Sequence, residues 1–272
     1  MKFYKMNGAG NSFVIFDARE EALMADADRI RQIADPQTGV GADQVIAMEK
    51  SLRGDVFMRI WNRDGSEAEA CGNATRCVAW LMMREAGAEK VTIETVAGLL
   101  ASRDAGERLV TVDMGSPLLK WEEIPLAERM DTRGIDLKIG PIDAPYMQLP
   151  GAVNMGNPHI VFFVPDLDAV DVTAAGSLVE NHPLFPEGVN VGFAEILDEQ
   201  NMRLRTWERG VGRTKACGSN ICAAVVAAHR RNLTGRSVSV QNDGGMVHID
   251  WRSSDDHVLM TGPIELEYEE QV

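Results

Sequence analysis

Two cysteines, Cys71 and Cys217, stand in the same local sequence, Ala-Cys-Gly, and each precedes an apolar stretch. Such stretches predict buried helices, so both thiols are expected at a helix start, where unpaired backbone N–H groups and the helix dipole favour negative charge. A thiol in that setting can have its pKa lowered from about 8.5 to between roughly 3.5 and 7.5. The same N–H groups can hold a carboxylate, and the glycine after each cysteine lets a ligand approach the backbone. Each motif therefore offers a base beside a carboxylate-binding site.

Two such motifs acting on one bound amino acid could invert its stereocentre. One thiolate would remove the α-proton from one face while the opposing thiol delivers a proton to the other face, so one cysteine must be ionised and the other protonated. General acid–base groups of this kind contribute about 10²–10⁴-fold each, and stabilisation of the enolate-like charge must supply the rest. The residues favour an amino-acid isomerase, with no cofactor and no metal expected.

The other two cysteines, Cys77 and Cys222, lie inside the apolar stretches and are interpreted as packing residues. A non-catalytic zinc-binding protein is an alternative from a different class. Five residues separate Cys71 from Cys77, but the four between Cys217 and Cys222 fall within the spacing of structural zinc ligands. A redox thiol protein is the other alternative, although no Cys-x-x-Cys pair supports it. Metal analysis and thiol titration of the protein discriminate these alternatives from an isomerase.

A duplication relates the two cysteine motifs, since Cys217 lies 146 residues after Cys71. The same offset carries segment 58–63, Met-Arg-Ile-Trp-Asn-Arg, onto segment 204–209, Leu-Arg-Thr-Trp-Glu-Arg. It also relates Asn11 with Asn157, Gln44 with Asn190, and Asn62 with Glu208. Several matches in one register indicate two structurally similar halves.

The elements that must position the cysteines follow the same order in both halves. Strand-like segments precede a helix that starts after Cys71 and ends near Gly87, and others precede a helix over 218–229 that is apolar nearly all round and must be buried. We expect an α/β (α+β) fold of two pseudo-symmetric domains, each a barrel-like, mainly antiparallel sheet wrapped around a central helix. The first domain comprises residues 1–116 and the second 117–262, while a last strand at about 263–272 could join the first.

Composition limits the partners of the chain. With 27 Lys and Arg against 41 Asp and Glu, the net charge of the 272 residues is −14, which disfavours nucleic acids and anionic membranes as partners. No apolar stretch approaches the roughly 20 residues that span a bilayer, and the N-terminus lacks the apolar core of a signal peptide. A cytoplasmic protein with reduced cysteines is expected.

Motifs along nearly the whole chain resemble those of the diaminopimelate epimerase family. The most specific runs are Asp-Gly-Ser-Glu-Ala-Glu-Ala-Cys-Gly-Asn at 64–73 and Glu-Arg-Gly-Val-Gly at 208–212. The other matching segments are 5–11 (Lys-Met-Asn-Gly-Ala-Gly-Asn), 39–44 (Gly-Val-Gly-Ala-Asp-Gln), 154–159 (Asn-Met-Gly-Asn-Pro-His), 188–190 (Gly-Val-Asn) and 216–218 (Ala-Cys-Gly).

The resemblance implies interconversion of LL- and meso-diaminopimelate, a small-molecule substrate, in lysine and peptidoglycan biosynthesis. It implies that Cys71 and Cys217 are the acid and base, with His159 and Glu208 beside them to tune the thiols or bind the reacting ammonium. The reacting carboxylate would lie on the backbone amides of four residues, Gly72, Asn73, Gly218 and Ser219. The distal, non-reacting end would be bound by Asn11, Gln44, Asn62, Asn157, Asn190 and Arg209. A homodimer is implied as well.

This sequence departs from the usual family pattern at a few positions. Ser12 stands where aspartate is common, Arg213 where glutamate is common, and Ser219-Asn220-Ile221 replaces Thr-Gly-Ala. The nearest rival is a proline or hydroxyproline racemase of the same fold. The polar distal set, especially Arg209 with Asn62 and Asn190, argues against a cyclic substrate that lacks a far carboxylate.

Overall fold

The structure is a computed structural model and describes residues 1–69, 71–141 and 143–271. Three residues lie outside the described residues: Ala70 of the repeated Ala-Cys-Gly segment, Ile142 of the predicted second domain, and Val272 at the end of the predicted last strand. The chain divides into two compact units, Met1–Asp113 with Thr261–Val272, and Met114–Met260. The domain boundaries expected at 116/117 and 262/263 stay a prediction.

The first unit is a mixed sheet with two helices. Its elements are β1 (Lys2–Gly8), β2 (Asn11–Asp17), α1 (Ala27–Ala34), β3 (Gln44–Glu49), β4 (Val56–Asn62), β5 (Glu67–Ala68), α2 (Gly72–Ala86), β6 (Lys90–Thr95), β7 (Gly98–Asp104) and β8 (Leu109–Asp113). Most neighbouring strands are antiparallel, but β2 pairs with β3, and β4 with β6, in parallel.

Helix α2 is the centre of the first unit. It packs against β1, β2, β4, β6, β7 and β8, and most of its side chains are buried because the sheet surrounds it. The helix ends at Gly87, whose φ of 63° gives the left-handed cap that glycine adopts without strain. The predicted central helix ending near Gly87 is confirmed.

The second unit repeats this plan. Its elements are β9 (Lys138–Ile139), β10 (Met147–Gln148), β11 (Gly151–Asn154), β12 (Pro158–Phe163), α3 (Val172–Glu180), β13 (Asn190–Asp198), β14 (Asn201–Glu208), β15 (Gly212–Thr214), α4 (Gly218–Arg230), β16 (Ser237–Asn242), β17 (Gly245–Trp251) and β18 (Val258–Pro263). The last three residues of β18 belong to the first unit, as does β19 (Glu265–Gln271), which pairs antiparallel with β1.

Helix α4 packs against β11, β12, β13, β14 and β17, and its residues 220–228 are all buried. The second unit has parallel pairs between β12 and β13 and between β14 and β16, matching the two parallel pairs of the first unit. The parallel register joins Phe13 to Gln44 in the first unit and His159 to Asn190 in the second, at the 146-residue offset. The predicted fold of two pseudo-symmetric, sheet-dominated halves with central helices is confirmed.

Candidate active site

Both repeated cysteines occupy the residue that caps a central helix. Cys71 precedes α2 and Cys217 precedes α4, each with extended backbone, and neither thiol forms a side-chain cap bond. The carbonyl of Cys71 accepts from the Thr75 N–H at 2.9 Å, and that of Cys217 accepts from the Ile221 N–H at 3.0 Å. The first-turn N–H groups of each helix have no partner within the helix, so they and the dipole favour an anion beside each sulfur. Cys71 is half-buried and Cys217 is 8% exposed.

The two remaining cysteines are core residues. Cys77 and Cys222 are both 0% exposed, and no disulfide joins any of the four cysteines, all of which lie among the described residues. Burial raises the pKa of the Cys77 thiol to about 12, so this sulfur stays protonated near neutral pH. Their interpretation as packing residues agrees with this burial.

Glu208 lies beside Cys217 at the end of β14. The β14–β15 hairpin returns the chain so that the Thr214 hydroxyl donates to the Glu208 carboxylate at 2.5 Å, and the Cys217 thiol is hydrogen-bonded to the same carboxyl group. The Ser219 hydroxyl lies 3.5 Å from the Cys217 sulfur. Burial raises the pKa of Glu208, and these two hydrogen bonds lower it to a smaller extent. A desolvated carboxylate in contact with a thiol is suited to accept its proton.

His159 lies in the interior of the second unit. Its Nε2 is 2.7 Å from Asn157 Oδ1, and its Nδ1 is 3.0 Å from Asn220 Nδ2. Burial, and to a smaller extent the positive charge of Arg209, lowers the pKa of the ring to about 3. The imidazole is therefore neutral at physiological pH and serves as a hydrogen-bonding group there.

The burial of His159 predicts a loss of stability in acid. Its pKa is about 3 in the folded chain against an ordinary 6.5, so the stability is fully present above about pH 6.5 and declines as pH falls from there toward 3. The slope from this one proton is about 1.4 kcal/mol per pH unit. The free energy of unfolding, measured with urea between pH 7.5 and 4.5, should fall less steeply with decreasing pH in His159→Gln than in the wild type. An unchanged pH slope would contradict the buried neutral ring.

In the first unit the predicted site amides form two pairs. Gln44 Nε2 donates to Asn62 Oδ1 at 3.0 Å, and Asn73 Nδ2 donates to Asn11 Oδ1 at 2.5 Å. The Asn62 Nδ2 donates to the Ser66 hydroxyl at 3.1 Å. Gln44 Oε1 and Asn73 Oδ1 are buried acceptors with no hydrogen bond. Since a buried acceptor left unpaired costs about 1–3 kcal/mol, a ligand with N–H donors would be stabilised at these oxygens.

In the second unit Asn190 and Arg209 are joined to each other. Asn190 Nδ2 donates to the Pro158 carbonyl at 2.9 Å, and its Oδ1 accepts the Arg209 backbone N–H at 3.0 Å. The Arg209 guanidinium donates to the Glu187 carbonyl at 2.7 Å. Asn190 is 3% exposed, and its amide is hydrogen-bonded to the backbone of both Pro158 and Arg209. Its side chain therefore fixes the position of the Arg209 backbone.

Sequence reasoning missed Glu180, the last residue of α3. Its carboxylate accepts from the Trp207 indole at 2.7 Å and from the Gly210 N–H at 2.8 Å, and thus bridges the two sides of the turn that carries Glu208 and Arg209. A carboxylate at a helix C-terminus is unfavourable to the dipole, which is a signal that could have identified it.

The polar and charged residues that depart from the family pattern form hydrogen bonds or ion pairs with other side chains. The Lys5 ammonium donates to the Ser12 hydroxyl at 2.5 Å and to the Gly41 carbonyl. Arg213 forms an ion pair with Asp243 at 2.9 Å. Asn220 is fully buried in α4 and contacts His159. The helix after Cys217 therefore begins at Gly218 as expected, despite the change from glycine at position 220.

Residues 1–69, 71–141 and 143–271 show neither a cluster of metal-ligating side chains nor a membrane-spanning helix. They contain no group of three or more His, Cys, Asp or Glu side chains gathered as around a metal ion. No helix among them is long and apolar enough to cross a membrane.

Comparison with solved structures identifies the fold. A hydroxyproline epimerase from Agrobacterium vitis superposes with a TM-score of 0.70 at 17% identity, covering 100% of this chain and 90% of the other. A phenazine biosynthesis protein of the PhzF family from Enterococcus faecalis gives a TM-score of 0.67 at 16% identity, covering 100% and 98%. At these identities the likeness establishes the shared fold.

Comparison of sequences identifies the family. The family model described as diaminopimelate epimerase matches residues 3–120 and 151–267. A diaminopimelate epimerase from Caulobacter vibrioides is 54% identical over 275 residues, covering 98% of this chain and 95% of that relative. One from Acidiphilium cryptum is 51% identical over 267 residues, covering 98% and 94%. The chain therefore belongs to the diaminopimelate epimerase family, a family of isomerases.

Proposed function

We propose that this protein converts LL-2,6-diaminopimelate to meso-diaminopimelate with Cys71 and Cys217 as acid and base, in lysine and peptidoglycan biosynthesis. The observation that carries the proposal is the position of these two thiols, each at the first turn of the buried central helix of its own unit. Family membership supports the reaction, and the repeated helix starts support the assignment of the two sulfurs.

The proposed step is a proton exchange without net oxidation or reduction. The thiolate of one cysteine takes the α-proton and leaves the bonding electrons on the substrate as an enolate-like carbanion. The thiol of the other cysteine gives its proton to the opposite face of the same carbon, so the two sulfurs exchange protonation states. The N–H groups of Gly72, Asn73, Gly218 and Ser219 hold the reacting carboxylate, where developing charge is stabilised most.

The distal end of the substrate carries an ammonium and a carboxylate, and the site has groups for both. Gln44 Oε1 is an unpaired buried acceptor suited to the ammonium. Arg209 and Asn157 have N–H donors suited to the carboxylate, and the family resemblance assigns Asn11, Asn62 and Asn190 to the same distal end. An amino acid without this distal end leaves those groups unpaired, which is the physical basis of the selectivity.

Glu180→Gln tests the positioning of the Arg209 turn. Glutamine has one acceptor oxygen and an NH₂ group, so it cannot accept from both Trp207 and Gly210 as the carboxylate does. Loss of one such bond, about 1 kcal/mol, loosens the turn, and KM for diaminopimelate should rise several-fold while kcat changes less. Steady-state kinetics measure this. The matched control is Glu187→Gln, since the side chain of Glu187 is exposed and the hydrogen bond from Arg209 is accepted by its backbone carbonyl, which the substitution keeps. An unchanged KM in Glu180→Gln would refute the positioning role.

A substrate assay separates the proposal from its rival. LL-diaminopimelate, L-proline and trans-4-hydroxy-L-proline are incubated with the protein, and the stereoisomers are resolved by chiral chromatography. Meso-diaminopimelate should form and the cyclic substrates should remain unchanged. Racemisation of a cyclic substrate with no turnover of diaminopimelate would favour the racemase instead.

We also propose that the protein acts as a homodimer in the cytoplasm. The family resemblance supports the dimer, and the reduced cysteines expected of this chain are typical of the cytoplasm. Light scattering during size-exclusion chromatography measures the oligomeric state, and the expected mass is twice the 29.8 kDa of one chain. A mass of one chain across the working concentration range would contradict the dimer.

A further inference from the structure

Asn220 lies in the first turn of α4, and its side chain fills a space inside the second unit. It is 0% exposed. A Cβ on Gly192 of β13 would lie 2.7 Å from Asn220 Oδ1, which is closer than atoms of this kind approach. Gly192 therefore leaves the room that the Asn220 amide occupies, and the amide is held in one place.

The hydrogen bonds around Asn220 have a defined direction. The Thr206 hydroxyl donates to Asn220 Oδ1 at 3.2 Å, which turns Nδ2 toward His159 Nδ1 at 3.0 Å. An amide nitrogen only donates, so Nδ1 of a neutral ring must be the unprotonated acceptor. The ring proton is then on Nε2, which donates to Asn157 Oδ1 at 2.7 Å.

This series of hydrogen bonds runs from donor to acceptor into the proposed substrate site. Because the carbonyl oxygen of Asn157 accepts from His159, its NH₂ group is the end that remains for a ligand. An NH₂ group donates, so it suits a carboxylate and repels an ammonium. Asn157 is half-buried, which leaves that end accessible.

We infer that Asn220 is a positioning residue: it holds His159 in the Nε2–H tautomer and thereby turns the Asn157 NH₂ group toward a carboxylate of the substrate. The last step rests on the proposed function, which places Asn157 at the distal end of diaminopimelate. The tautomer does not depend on that function. The low pKa of His159, about 3, agrees with a neutral ring that accepts from Asn220 and donates to Asn157.

Asn220→Asp reverses the donor-to-acceptor order of the hydrogen bonds from residue 220 through His159 to Asn157. A carboxylate only accepts, so His159 Nδ1 must carry the proton and Nε2 becomes the acceptor. The Asn157 amide then turns its NH₂ group to the ring and presents its oxygen to the substrate carboxylate. Histidine-selective ¹⁵N NMR at pH 8 should show an unprotonated Nδ1 in the wild type and an unprotonated Nε2 in Asn220→Asp. The spectrum of His159→Gln identifies which signals belong to the His159 ring. KM for diaminopimelate should rise about tenfold or more, with a smaller change in kcat, since a hydrogen bond to a charged group is lost.

Two further variants keep the test decisive. Asn242→Asp makes the same change at a buried asparagine of the second unit whose Nδ2 has no hydrogen bond, and it should leave both the His159 tautomer and KM unchanged. If Asn220→Asp does not fold, Asn220→Gly is measured instead, and the ring should lose its single tautomer because Nδ1 has no amide donor.

The outcomes separate this inference from the proposed function. A wild-type ring protonated at Nδ1, or a bare Nδ1 retained as the sole form in Asn220→Asp or Asn220→Gly, overturns the role of Asn220. A doubly protonated ring in Asn220→Asp also overturns it, because the Nε2 proton then does not depend on Asn220. Each of these results leaves the epimerase proposal intact. Absence of diaminopimelate turnover in the wild type would instead end that proposal and leave the tautomer assignment standing.

Discussion

Cys71→Ala and Cys217→Ala should each lower kcat for epimerisation by about 10²–10⁴-fold while the fold is retained. Either variant leaves one face of the stereocentre without a group that can take or give a proton. The loss should be of similar order for both, because both faces must react in every turnover. Initial rates of meso-diaminopimelate formation measure the effect, and circular dichroism checks that the helices remain.

The chain supplies a matched control for these variants. Cys77→Ala and Cys222→Ala make the same substitution further along the same two helices, where the thiols are fully buried. They should lower stability by about 1 kcal/mol, the usual cost of a small core truncation, and leave turnover at the wild-type order of magnitude. Full turnover by Cys71→Ala or Cys217→Ala would exclude the two-base scheme.

Glu208→Gln should make the protein more stable near neutral pH and much less active. Burial raises the pKa of Glu208, so above that pKa the folded state holds a poorly solvated negative charge. Glutamine removes the charge and can still accept from the Thr214 hydroxyl. The stability gain should be present at neutral pH, shrink as pH falls through the raised pKa, and vanish below the ordinary value of 4.5, where both side chains are uncharged.

The activity of Glu208→Gln should fall about tenfold to a hundredfold, since an amide facing Cys217 cannot take the thiol proton. Urea unfolding at pH 7.5 and pH 4, with initial rates at pH 7.5, measures both effects. Glu195→Gln is the control with the opposite sign: Glu195 forms an ion pair with Arg203 at 2.8 Å, so its loss should lower stability without affecting turnover. A Glu208→Gln variant less stable than the wild type at pH 7.5 would contradict the desolvated carboxylate.

The sequence predicted the fold and the positions of the two cysteines because those features are local. An apolar stretch following Ala-Cys-Gly is enough to predict a buried helix that starts at the cysteine, and α2 and α4 begin at Gly72 and Gly218. The 146-residue offset then predicted that the halves are alike. Hydrophobic patterning and a repeat can be identified without knowing which distant residues meet.

The hydrogen-bonding partners could not be predicted in this way. Asn190 was expected to bind the distal end of the substrate, but its amide also joins the Pro158 carbonyl to the Arg209 N–H. Glu180 contacts Trp207 and Gly210, which lie 27 and 30 residues later in the chain, because the fold brings α3 against β14. The orientation of an amide is decided by such neighbours, which is also why the role of Asn220 became visible only in the structure.

In the proposed mechanism, separate sulfurs serve the two faces of one carbon. This mechanism is tested most directly by incubating LL-diaminopimelate with the protein in deuterium oxide and analysing the earliest product by mass spectrometry. The two-thiol account predicts one solvent deuteron at the inverted carbon of each meso-diaminopimelate molecule, with the remaining LL substrate unlabelled. Early product that retains the original hydrogen would mean that a single group carries the proton across, and would contradict the account.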